Sequence, residues 1–265
     1  MSGSSGNMPM KCVAGHQANL YPYGGFFAKA ASVDLFVIVD VTQYVKKEYH
    51  NRNQVKLADG KAHWLRIPVK TAGRFTQRIN EVEIVPGTNW QRDHRRTVEL
   101  AYAKSRYFEG FWPPFRQLLE REWRRLVDYN VAVIRLCFEL LGITTPVKLA
   151  SELGVCGRRT ELILDICRKT GADAYLHGRH GRDYADFNYL KEAGVRSFIQ
   201  EYTQVPYPQP WGSFVANLSI LDILFNCGPR SLEVIMAGNR IVDAETGEVV
   251  REPGLRSGEA GPPQD

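Results

Sequence analysis

The sequence predicts a doubly wound α/β fold, Rossmann-like, with a mainly parallel sheet and a helical second half. Three observations carry this. Short apolar runs rich in β-branched residues alternate with segments of helical periodicity, the helical segments stop at Gly142, Gly171 and Gly194, and the turns between them are short. With 265 residues, 44% of them hydrophobic, residues 11–240 are expected to fold as a single domain around a large core.

The first unit is the clearest. Lys11–Gly15 is a short apolar run, the polar loop His16–Gly25 follows, Phe26–Ala31 favours helix, and Leu35–Val39 is a continuous apolar stretch ending at Asp40. Strand, loop, helix and strand in that order imply two neighbouring parallel strands joined by a right-handed crossover. Their carboxyl ends, bearing His16 and Asp40, are then expected at one edge of the sheet.

Further along, Trp64–Val69 and Arg78–Val85 alternate and are read as extended segments, the first near an edge or a bulge because of Pro68. The apolar spacing from Phe115 to Leu141 predicts one long helix or a kinked pair. Pro146–Ala150, Ala174–His177 and Val195–Ile199 read as strands. Arg159–Thr170, Asp186–Ala193 and Leu218–Asn226 read as helices.

The two ends, residues 1–10 and 251–265, are Gly-, Ser- and Pro-rich without apolar periodicity and are expected to be disordered. No apolar run reaches the roughly 18 residues of a membrane span, and the N-terminus lacks the pattern of a secretion signal, so a cytoplasmic protein without membrane insertion is expected. The five cysteines are scattered, odd in number and without a CxxC pair, which supports neither a disulfide framework nor a zinc knuckle. Cys137 and Cys167 read as core thiols. A net charge of +5 permits a phosphorylated or polyanionic ligand without requiring one, and the cluster Gln91–Arg96 reads as a solvated face.

Five constellations could carry chemistry. In the first, His16 and Gln17 lie beside Tyr21 and the pair Gly24-Gly25, where loop amides and a helix N-terminus can hold an anion while His16 acts as general base. Asp40 is positioned to orient the imidazole, the pairing that acyl transfer commonly uses. The plain alternative is a capping histidine and a satisfied aspartate. In the second, Gln43, Tyr49, Asn51 and Arg52 follow Asp40 and could orient a sugar or amino acid, with Arg52 suited to carboxylate or phosphate; an exposed loop looks the same.

The third is Arg158-Arg159 in a helix start, where two cations oppose the helix dipole unless an anion offsets them. Cys156 nearby has no evident base partner. The fourth is the loop of His177, His180, Arg182 and Tyr184, which follows a strand; ligand binding by His177, Arg182 and Tyr184 fits it better than a metal, since no third ligand is evident. The fifth is Asp222, on one helical face with Ser219 and Asn226; a buried aspartate requires partners, structural or functional.

Taken in order, the blocks His16-Gln-Ala-Asn-Leu-Tyr-Pro-Tyr-Gly-Gly25, Asp40-Val-Thr-Gln43, Asn51-Arg52, Leu65-Arg-Ile-Pro-Val69, Leu141-Gly-Ile143, Ala174-Tyr-Leu-His-Gly178 with Tyr184, Tyr207-Pro-Gln209 and Leu218 to Gly228 resemble the WbqC-like family over about Lys11 to Gly228. The resemblance implies a bacterial protein of surface-polysaccharide or specialised natural-product biosynthesis, transferring an acyl or aminoacyl group onto an amine. Two departures stand out: Tyr23 where the family is expected to carry Trp, and His177 and His180 where smaller or hydroxylic residues are common. Both point to a different acceptor.

The resulting expectation is an N-acyl or aminoacyl transferase. No cofactor is required, and the co-substrate is a carrier-bound thioester, coenzyme A or an aminoacyl-tRNA. The acceptor is a small-molecule amine, an amino sugar or a natural-product intermediate; a carrier protein or tRNA is a possible partner, DNA is not, and the oligomeric state is left open. A nucleotidyl-transferring, ATP-using enzyme and a non-catalytic sugar-nucleotide-binding or scaffold protein remain as alternatives.

Overall fold

The computed structural model describes residues 10–251. The predicted tails therefore lie outside the described residues, apart from Met10 and Arg251. The main sheet has seven strands in the order β5-β2-β1-β6-β7-β8-β9. They are β1 (Cys12–Gln17), β2 (Leu35–Val39), β5 (Val147–Leu149), β6 (Ala174–His177), β7 (Arg196–Tyr202), β8 (Asn239–Asp243) and β9 (Val249–Arg251). The first five in that spatial order are parallel; at the far edge β8 runs antiparallel to β7, and β9 runs antiparallel to β8.

Alternation along the strands builds two apolar layers. Ala14, Phe36, Ile38, Ala174 and Leu176 face one side, where they pack with α1 (Gly24–Ala30), α4 (Leu126–Leu141) and α7 (Ile220–Cys227). Val13, Val37, Val39 and Tyr175 face the other and pack with α5 (Thr160–Thr170). A parallel sheet covered on both faces is the doubly wound α/β architecture that the alternating pattern predicts. Gly142 and Gly171 close α4 and α5 in the left-handed conformation, at φ 68° and 62°, and Gly194 follows α6 (Phe187–Glu192) at φ 82°.

Several expectations are corrected. The expected domain end at 240 is too early, because β8 and β9 complete the sheet and Phe198 pairs with Asp243. The extended segment at Trp64–Val69 is strand over β4 (Ala62–Arg66), which pairs with β3 (Arg52–Lys56) in a separate hairpin, so part of the presumed polar loop is strand. Arg78–Val85 is no strand: a 3-10 turn at Ile79–Glu81 leads into isolated bridges. The same stretch explains why Phe115–Leu141 is two helices, α3 (Phe108–Leu119) and α4. Val82 accepts from the Leu126 amide and the Ile84 amide donates to Arg124, which holds Arg125 extended between them. The cluster Gln91–Arg96 lies on α2 (Trp90–Tyr102), where the arginines are exposed but His94 is buried. A short α8 (Ser231–Met236) precedes β8.

Candidate functional site

The chain leaves β1 toward β2 on one side, while β6 lies on the other, so strand order reverses between β1 and β6. Ligand crevices in open α/β sheets form at such switch points, outside the carboxyl ends of the strands. A cavity of about 670 Å³ opens there, walled by Gly15, His16 and Gln17 from β1, Lys29 from α1, Tyr175 and the loop Gly178–Gly181 from β6, Tyr23, Tyr49 and His50 from loops, and Arg159 with the first turn of α5.

His16 packs edge-on against Phe26, with ring centroids 4.8 Å apart, and its Nδ1 lies 3.1 Å from the carbonyl oxygen of Gln17. A carbonyl only accepts, so Nδ1 carries the proton. Burial first, then repulsion from Lys29, push the His16 pKa down to about 3, and the neutral ring keeps its lone pair on Nε2. The Gln17 amide donates to Thr42 Oγ1 at 3.0 Å, and its carbonyl oxygen accepts from His50 Nε2 at 2.9 Å.

Lys29 was not expected in the site. It is the lone charge in the run Gly24–Ala31, is 4% exposed, and donates to the Gly15 carbonyl at 2.9 Å. Burial lowers its pKa to about 8. An isolated cation in an apolar helix is the sequence signal that could have found it. Tyr175 also belongs to the wall, buried and with its phenol pKa raised by burial. Arg179 and Arg159 add positive charge and Glu48 a negative one.

The expected imidazole–carboxylate pair does not form. Asp40 is 1% exposed, outside the cavity wall, and accepts from the Ser151 amide at 2.9 Å and the Ser151 hydroxyl at 2.5 Å. The reason is topological: β5 pairs with β2 on the side away from β1, so the residue after β2 meets the end of β5. Gly24 and Gly25 form no anion nest in the cavity wall, because α1 starts beneath Tyr23 and Tyr202. A Cβ on Gly24 would stand 2.5 Å from the Tyr202 hydroxyl.

Of the remaining candidates, Gln17, Tyr49, Tyr184 and Arg159 line the cavity. The others serve elsewhere. Tyr21 hydrogen-bonds Tyr129 through the two hydroxyls in the core. Gln43 donates to the Phe75 carbonyl, and Asn51 accepts from Tyr44 and donates to Ile67. Arg52 lies over the Trp64 ring, 4.1 Å from its centroid. His177 is fully buried between Tyr175 and Phe187, each 4.8 Å away, and its side chain is not part of the cavity wall. Arg182 donates to the Ala244 carbonyl, and Arg158 is exposed outside the cavity wall. Asp222 accepts from Tyr102, Tyr207 and Gln209, the structural version of its two readings. No group of three or more His, Cys, Asp and Glu side chains suited to a metal occurs among the described residues, and no helix among them is long and apolar enough to cross a membrane.

Sheet and cavity together define a doubly wound α/β protein with a cationic, histidine-bearing crevice at its switch point. The chain belongs to the WbqC-like protein family, whose model matches residues 17–234. A Mycobacterium tuberculosis (strain ATCC 25618 / H37Rv) relative described as uncharacterized protein Rv1507c is 33% identical over 224 residues, covering 84% of this chain and 96% of the relative. No solved structure matches.

Proposed function

We propose that this protein is a cytoplasmic transferase moving an acyl or aminoacyl group from a thioester or aminoacyl-tRNA onto the amine of an amino sugar or natural-product intermediate. The observation that carries the reading is His16: neutral, in the cavity wall, with Nδ1–H committed to Gln17 and Nε2 unprotonated. The acceptor nitrogen attacks the donor carbonyl, Nε2 takes the proton the nitrogen loses, and the same proton leaves with the departing thiol or ribose oxygen as the bond to carbon breaks. Asp40 has no part in this step. The ring is oriented by its own strand through Gln17. Lys29, Arg159 and Arg179 favour a donor with anionic groups.

The test is mass-spectrometric detection of an N-acylated amine from a panel of thioesters and charged tRNAs. The His16→Ala variant should lose the product while keeping its circular-dichroism spectrum and Tm. Full activity in that variant, or no product from any donor, overturns the reading.

The same three cations favour a second reading, nucleotidyl transfer from a nucleoside triphosphate. Release of pyrophosphate on incubation with amine and triphosphate would replace the first reading with the second. Ligand binding without turnover, indifferent to His16→Ala, would identify a binding or scaffold protein.

A further inference from the structure

Lys29 presents an unbalanced charge. A lysine ammonium has three donors, and here one is used, on the Gly15 carbonyl. The side chain is 4% exposed and forms no ion pair among the described residues. The acidic group acting on it is the Cys12 thiol, whose own pKa burial pushes up to about 12, so it supplies no negative charge near neutrality. Buried ammonium groups are ordinarily paired, because desolvation of a lone charge costs several kcal/mol. Lys29 shares the cavity wall with Arg159 and Arg179, and the first turn of α5, whose N-cap has no side-chain hydrogen bond, lines the same space. Three cations and a helix start converge on one space against a single carboxylate, Glu48.

We infer that Lys29 is the receptor for an oxyanion group, carboxylate or phosphate, of the molecule that fills this cavity, held between its Nζ and the side chains of Arg159 and Arg179. The inference deepens the transferase reading and rests on the cavity being its ligand site: it assigns the donor an anionic group within reach of α1. It also gives that group a second effect. Lys29 is one of the causes holding His16 neutral. An anion against Nζ cancels that repulsion, so the base gains proton affinity when the donor is bound.

The other groups around α1 do not mimic this proton linkage. His16 and His177 have pKa values pushed to about 3, and burial raises Cys12, Tyr23, Tyr175 and Tyr202. His50 is pushed to about 4, and Tyr184 is raised. Arg159, Arg179 and Glu48 remain as the charged groups of the wall, while His180 is exposed and paired with Asp183. On the elements packed behind α1, Arg230 pairs with Glu233 on α8, Glu201 of β7 with Arg240 of β8, and Arg196 of β7 with Asp243 of β8.

The experiment is a thermal-shift titration of the full chain with inorganic phosphate and, separately, acetate, at constant ionic strength from pH 7.5 to 9.5. At least one probe should bind. Its affinity should weaken by up to about tenfold per pH unit once Lys29 deprotonates above about 8, because binding then requires the uptake of one proton. Lys29→Met should lose at least about tenfold in affinity at pH 7.5 and all of the pH dependence. Probe binding reads the anion site and N-acylated product reads the transfer, so failure of one is told apart from failure of the other. Whichever probe binds identifies the group. Absence of binding by both, equal affinity in Lys29→Met, or a flat wild-type profile would each overturn the inference, and the wild-type profile decides alone if the methionine variant does not fold.

Discussion

Lys29 and Gly15 are joined by a 2.9 Å hydrogen bond from Nζ to the carbonyl oxygen, which ties the first helix to the residue immediately before His16. Gly15 is also crowded on its other side, by the Tyr175 hydroxyl and Val39. The wall of the crevice is thus built around one residue without a side chain, and anything that moves it moves the lysine and the imidazole together.

Gly15→Ala would set its Cβ 2.6 Å from the Tyr175 hydroxyl and 3.0 Å from Val39 Cγ2. Overpacking of this kind costs about 1–3 kcal/mol. Tyr175→Phe removes the nearer atom, so the double variant should recover part of that loss in urea denaturation. Strictly additive effects would show that the clash is relieved some other way.

Acid should unfold this protein early. His50, His94 and His177 are at most 2% exposed, and burial pushes their pKa values from 6.5 down to about 4, 4 and 3. A depressed histidine pKa means that the unfolded chain binds protons the folded one refuses. The stability is therefore complete above pH 6.5 and is lost as pH falls toward 4, by about 1.4 kcal/mol per pH unit for each histidine. Tm measured from pH 7.5 to 4.5 should fall steeply below 6, and His94→Phe should flatten the curve; an unchanged Tm down to pH 5 would contradict the burial.

Asp40 is expected to matter for stability and not for chemistry. Asp40→Ala removes the acceptors of the Ser151 amide and hydroxyl and should cost about 1–3 kcal/mol. The pH profile of kcat should stay where it is. A shifted profile would restore the carboxylate to the mechanism.

Arg159 and Arg179 line the cavity from two different loops. Each change to Ala should raise KM for an anionic donor by about five- to tenfold, leave kcat nearly unchanged, and weaken the dependence on salt. A fall in kcat without a change in KM would move these residues into the reaction itself.

The strand–loop–helix–strand unit at the N-terminus was legible because its apolar runs are continuous and its boundaries polar. The strands β5, β6 and β7 were legible for the same reason, with glycines at the helix ends. Other elements were not, and three show why. Arg52–Lys56 is too polar to read as a strand and is one because β4 supplies its partner. Trp90–Tyr102 hides its buried face behind a run of arginines. Asn239–Asp243 is a strand because β7 offers it an edge.

In the site, His16, Gln17, Tyr49, Tyr184 and Arg159 were found by their position after a strand or at a helix start. Asp40 met the same criterion and failed it, and Lys29 met none and belongs.

Sequence alone determined the doubly wound class, the family and the arrival of His16 at the end of the first strand, because periodicity and turn residues act locally along the chain. Tertiary structure decided which side chains meet. The order in which strands pair sent Asp40 to Ser151, and packing of α1 on the sheet carried a lysine from an apolar helix to Gly15; both depend on neighbours distant in sequence or across the fold, which no local pattern encodes.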